Sequence, residues 1–172
     1  MKRMTFLSEL RRLIPIYGAD NVIYIDETGF RKHAYRAHGW APRGEKIYGD
    51  VSGNNRKCTN LIMAQRRKQW LAPMLFECSC DSLVVNAWLE ERLMPVLENP
   101  SIVIMDNAPF HKKKEVAAIL EKHGHAFLPL PSYSPDFNPI EQTFGVLKRK
   151  RDYAPQGTPI EQIIISSDYY LK

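Results

Sequence analysis

Asn21-Val22-Ile23-Tyr24-Ile25-Asp26 and, eighty positions later, Ser101-Ile102-Val103-Ile104-Met105-Asp106 are the stretches on which the reading of this chain turns. Each is a compact β-branched or aromatic run with a carboxylate at its end, the composition of a buried strand. The first run is followed by Glu27-Thr28-Gly29, which reads as a turn. Thr59 to Ala64 and Trp70 to Glu77 read as a β-hairpin whose charged connection, Gln65 to Gln69, faces solvent. From Asp81 the period changes: Leu83, Val84, Ala87, Trp88, Leu93 and Leu97 recur at helical spacing, with a bend expected near Pro95. His111 to Lys122 predicts a second helix stopped by Gly124, and Ala126 to Leu130 a short strand. After the proline-spaced loop Pro129 to Pro139, a third helix starts with Asn138 as N-cap and Pro139 at its first position. A short terminal helix begins near Thr158-Pro159.

The order strand, hairpin, helix, strand, helix, strand, helix implies an α/β fold, a mixed β-sheet flanked by α-helices, because parallel strands require crossover connections. The 172 residues suit one domain, and 44% hydrophobic content suffices for a core. Residues 1–20, with Leu7, Leu10, Leu13 and Ile14 at helical spacing before Pro15, read as a linker remnant, and 21–172 as the domain itself. Residues 31–55, rich in Gly, Pro and charge, read as an extended loop or irregular hairpin. No apolar run approaches the about 20 residues of a membrane helix, and charges interrupt any amino-terminal signal, so a cytoplasmic location is expected. A formal charge of +5 favours an anionic partner. Cys58, Cys78 and Cys80 have neither zinc-finger spacing nor an even count and read as reduced thiols.

Asp26 and Asp106 each end a candidate strand, and adjacent strand ends in a mixed sheet can place two such carboxylates within reach of one cation, while Glu141 stands in the first turn of the third helix. Carboxylate oxygens converging on one point are what hard divalent cations select. Singly, each has a structural explanation: a turn-forming Asp in two cases, and a capping box, Asn138-Pro-Ile-Glu141, in the third. Alternation along the first strand puts Glu27 on the opposite face from Asp26 and makes it the second choice. Glu141, Gly145 and Lys148 share one helix face, opposite Ile140, Phe144 and Leu147.

Three ordered blocks, Tyr24-Ile-Asp-Glu-Thr-Gly-Phe30, Ile104-Met-Asp-Asn-Ala-Pro-Phe-His111 and Leu130-Pro-Ser-Tyr-Ser-Pro-Asp-Phe-Asn-Pro-Ile-Glu141, closely resemble those of mariner-like DDE transposases, bacterial insertion-sequence group. The 34 residues between Asp106 and Glu141 match that group's interval. The resemblance implies a ribonuclease-H-like fold with Asp26, Asp106 and Glu141 as catalytic triad. It also implies two divalent ions, Mg²⁺ or Mn²⁺, about 3.5–4 Å apart, serving in-line phosphoryl displacement in DNA strand cleavage and strand transfer. DNA, as element ends and target, is the expected partner, in a homodimeric complex near the nucleoid. Full-length relatives carry helix-turn-helix modules ahead of this region, so a separate helix-turn-helix polypeptide is a further expected partner. Lys148, Arg149, His111 and Lys112 are the candidate phosphate contacts. Tyr133 and Phe137 fit either base stacking or core packing, and Trp40 is assigned to packing. Two rivals remain: a non-catalytic remnant that binds DNA or regulates an intact relative, and a stand-alone nuclease.

Overall fold

A computed structural model describes residues 3–31, 42–46, 58–77, 79–106, 112–132, 134–155 and 157–171. The element order is α1 (Arg3–Tyr17), β1 (Val22–Arg31), β2 (Cys58–Arg66), β3 (Gln69–Phe76), α2 (Ser82–Trp88), β4 (Ile102–Met105), α3 (Lys113–Lys122), β5 (Ala126–Pro129), α4 (Ile140–Tyr153) and α5 (Ile160–Leu171). The five strands form one sheet in the order β3-β2-β1-β4-β5. β1, β2 and β3 are an antiparallel meander, whereas β4 runs parallel to β1 and β5 parallel to β4, with α2 and α3 making the crossovers. This is the expected mixed sheet.

Period-two alternation sorts the strand residues onto two cores. Ile23, Ile25, Ile62, Val103 and Met105 pack against Trp88, Leu93, Val116 and Leu120 from the α2 and α3 side. On the other face Phe30, Leu61 and Met63 meet Ile140, Phe144 and Leu147 of α4 and Ile160, Ile163 and Ile164 of α5. Beside them Ile102, Ile104, Leu128 and Leu130 are covered by Phe6 and Leu13 of α1.

Four sequence expectations change. The segment read as a linker remnant forms helix α1, as its helical spacing predicts, but it packs on the sheet as a layer of the fold. It continues through Pro15 to Tyr17, and Gly18, at φ 89°, donates its N–H to the Ile14 carbonyl at 2.8 Å. Glu27-Thr28-Gly29 is not a turn: β1 runs on to Arg31, paired residue by residue with β2. Gly29 is there for close approach, because a Cβ would stand 2.8 Å from Cys58 Sγ. The hairpin connection shrinks to Arg67-Lys68, with Arg67 at φ 56° and its carbonyl accepting from Gln65 Nε2 at 2.7 Å. Gln65, expected in solvent, is buried and accepts from Thr143 Oγ1 of α4 at 2.7 Å. The helix after Asp81, which caps it through the Leu83 and Val84 amides, passes at Leu89 into a π turn and at Met94 into a 3-10 turn around Pro95. The expected loop of residues 31–55 lies, apart from Arg31 and Pro42 to Lys46, outside the described residues, as does Trp40.

Candidate active site

Asp26 is on β1 at the middle of the sheet, on the face that looks toward α1 and α4. The parallel register pairs Ile25 with Met105, so Asp26 and Asp106 leave the strand pair side by side. Both side chains are half-buried. Glu27 points to the opposite face, as alternation requires. Glu141 is exposed in the first turn of α4.

Burial pushes the Asp26 carboxyl up from 3.8 to about 7. The charge of Glu27 adds to this, the Glu27 backbone N–H pulls the other way, and the charges of Asp106 and Glu141 raise it further. The charges of the other two carboxylates singled out in the sequence therefore both reach Asp26 in the fold. Among the described residues no group of three His, Cys, Asp or Glu side chains is gathered closely enough to hold a metal ion. What the described residues show is charges of like sign acting on one carboxyl, that of Asp26. The donor set of Asp26, Asp106 and Glu141, all carboxylate oxygen, fits a hard divalent cation.

Asp26 is held at both oxygens. The Glu27 N–H donates to Oδ1 at 2.9 Å, and the Asn138 side-chain Nδ2 donates to Oδ2 at 2.9 Å. Asn138 is only 2% exposed, and its side chain caps no amide of α4, which starts with Pro139 as the cap residue. The expected N-cap is therefore replaced by a contact to a strand 112 positions away. The backbone of Asn138 alone serves the helix, its carbonyl accepting from the Glu141 N–H at 3.2 Å. The segment ahead of Asn138 is pinned by α1. Phe137 stacks on Phe6 at 5.4 Å between ring centroids, the Arg3 guanidinium lies 4.3 Å from the Phe137 ring centre, and Arg3 pairs with Asp136. Phe137 is accordingly a packing residue.

Along α4 the exposed face carries Glu141, Gly145 and Lys148, with Arg149 beside them, while Ile140, Phe144 and Leu147 are buried. A Cβ on Gly145 would meet nothing within 4 Å. The next two basic residues face the protein: Lys150 Nζ donates to Ser167 Oγ at 3.0 Å and Arg151 donates to the Thr158 carbonyl. Lys112 is exposed and paired with Glu115 at 3.0 Å, whose other oxygen accepts from Asn86. His111 and Tyr133 lie outside the described residues.

The family model of the DDE superfamily endonucleases matches residues 21–163. The chain belongs to that family. No curated protein matches it in sequence. Among solved structures, the Mos1 transposase paired-end complex with left transposon end is similar with a TM-score of 0.75 and 18% identity, covering 97% of this chain and 52% of that one. The Mos1 mariner paired-end complex with Mn gives 0.70 at 18% identity, covering 98% and 53%. The catalytic domain of Mos1 mariner transposase gives 0.60 at 16% identity, covering 98% and 78%. The DDE chain thus has the ribonuclease-H-like fold and spans about half the length of the Mos1 transposase in those complexes. No helix among the described residues is long and apolar enough to cross a membrane.

Proposed function

We propose that this DDE chain is the catalytic domain of a DNA transposase, cleaving and joining DNA strands by in-line phosphoryl displacement. The observation that carries the reading is the parallel register of β1 and β4, which brings Asp26 beside Asp106 at the middle of the sheet, where the charge of Glu141 from the first turn of α4 also acts on Asp26. A raised carboxyl in a cluster of like charge is a group held ready for a cation. Asp26, Asp106 and Glu141 would hold Mg²⁺ or Mn²⁺, two ions in the full complex. Bound there, such ions activate the attacking oxygen and stabilise the leaving one. The Mos1 paired-end complex with Mn supports this choice of metal.

The chain itself supplies position and charge. Asp26 is fixed by its two donors, and the open face of α4 offers Lys148 and Arg149 to DNA phosphates, with Lys112 and His111 as further contacts. At Gly145 a sugar-phosphate backbone can come close, because no side chain stands there. DNA at element ends and target is the substrate we infer, consistent with the transposon end in the similar Mos1 complex. Joining requires two ends to be paired, which calls for a homodimer working at the nucleoid. A helix-turn-helix region, on this polypeptide or another, would read the ends.

The test is nicking of a labelled DNA duplex with Mg²⁺ or Mn²⁺. Asp26→Asn and Asp106→Asn should each abolish metal-dependent nicking while circular dichroism shows an intact fold. Nicking that persists in both variants removes the assignment.

A further inference from the structure

Asn138 is buried, lies next to the cluster, and has a side chain whose contacts do not follow from its place in the chain. A helix-initiating Asn normally turns its oxygen onto the first amides of its helix. Here the amide nitrogen reaches the Asp26 carboxylate, and the buried Oδ1 has no hydrogen-bond partner among the described residues. Leaving a buried acceptor unpaired is costly, so the orientation is one the helix alone would not select.

We infer that Asn138 is a positioning residue for the proposed cation site: its Nδ2 sets the plane of the Asp26 carboxylate and ties β1 to the first turn of α4, three residues before Glu141. The inference rests on the function proposed above. The geometry acts at two points. Asp26 Oδ1 is held by the Glu27 amide and Oδ2 by Asn138, so the carboxylate cannot rotate, and each oxygen keeps a second lone pair for a cation. Asn138 in turn cannot drift, because the neighbouring Asp136 and Phe137 are clamped by Arg3 and Phe6 of α1. Helix α1, more than a hundred positions from Asn138 in sequence, thereby contributes to the distance between two of the three carboxylates. A residue that orients a ligand in this way usually changes metal affinity or activity by about 10–100-fold when replaced.

The decisive variant is Asn138→Leu, a near-isostere without polar atoms, examined beside Asn138→Ala. The Leu variant removes the unpartnered Oδ1 and also the donor to Asp26 Oδ2, opposing effects that should leave the midpoint of urea unfolding near that of the wild type. Mn²⁺ affinity, read by electron paramagnetic resonance of the free ion, should fall at least about tenfold in both variants. Nicking should lose kcat with little change in KM for DNA. Wild-type Mn²⁺ affinity in both folded variants would overturn the positioning role while leaving the function intact. Lost stability with unchanged affinity would make Asn138 a packing residue and overturn it equally. If the wild type neither binds Mn²⁺ nor nicks, the function falls and this role falls with it. Should Asn138→Ala fail to fold, the Leu variant alone decides.

Discussion

Replacing Asp26 with Asn should make the metal-free protein more stable while destroying the proposed activity, and the size of the gain follows from the carboxyl's environment. Moving a carboxyl from 3.8 to about 7 corresponds to about 4 kcal/mol, at about 1.4 kcal/mol per pH unit, of folding free energy lost once the group must ionise. The sign is that of a raised pKa: the contribution to stability is fully present below 3.8 and is lost as pH rises, until the folded carboxyl is itself ionised above about 7. The introduced amide never ionises, and its nitrogen can meet Asn138 Oδ1 once the Asn138 amide turns over, so both of Asp26's neighbours stay partnered. We expect Asp26→Asn to exceed wild type by roughly 2–4 kcal/mol at pH 8, allowing for the cost of burying the amide. About two-thirds of that gap should remain at pH 6, and almost none at pH 4. The assay is urea unfolding followed by tryptophan fluorescence, with a chelator present. Addition of Mg²⁺ at pH 8 should then raise the midpoint of the wild type and leave that of the variant unmoved. A variant no more stable than wild type at pH 8, or a gap that does not close in acid, would refute the reasoning.

Gly145→Ala should stabilise the fold by about 0.5–1 kcal/mol, because the helix gains propensity and the new methyl meets nothing, yet weaken DNA binding in a fluorescence anisotropy titration. Unchanged affinity would take that face of α4 out of the interface. Lys148→Ala should lower the slope of log affinity against log salt by about 1 without altering sequence preference, and an unchanged slope excludes a phosphate contact at Lys148. Burial, with His123 nearby, holds His125 below its usual 6.5, and its Nδ1 accepts the Ser101 N–H at 3.1 Å. Stability from His125 is therefore present above pH 6.5 and lost as pH falls through its folded value, the opposite direction to Asp26. Unfolding of Asp26→Asn at successive pH values isolates this effect. A profile flat between pH 7 and 5 would mean that His125 takes up its proton equally well folded and unfolded.

The elements legible in the sequence are those whose signal is local. The runs ending at Asp26 and Met105 are strands, Val116 and Leu120 line the inner face of α3, and the Glu141–Gly145–Lys148 face of α4 is exposed, each as its period requires. The misread positions are those where a distant element overrides local preference. Glu27-Thr28-Gly29 has turn composition but is drawn into a strand by pairing with β2. Gln65 belongs to a charged stretch but is buried because Thr143 of α4 satisfies its carbonyl. Residues 3–17 lack the length of a domain, yet Phe6 and Leu13 find the uncovered side of β4 and β5.

What the sequence determined by itself is the choice of candidate carboxylates: strand-end composition, the interval from Asp106 to Glu141 and three motif blocks are properties of neighbouring letters, and the proposed cation ligands are drawn from them. What only the tertiary structure decided is how one of them is held. Asn138 meets Asp26 because β1 occupies the centre of the sheet and α1 anchors the turn ahead of α4. A hydrogen bond spanning that separation depends on strand order and helix placement together, and no local pattern carries either.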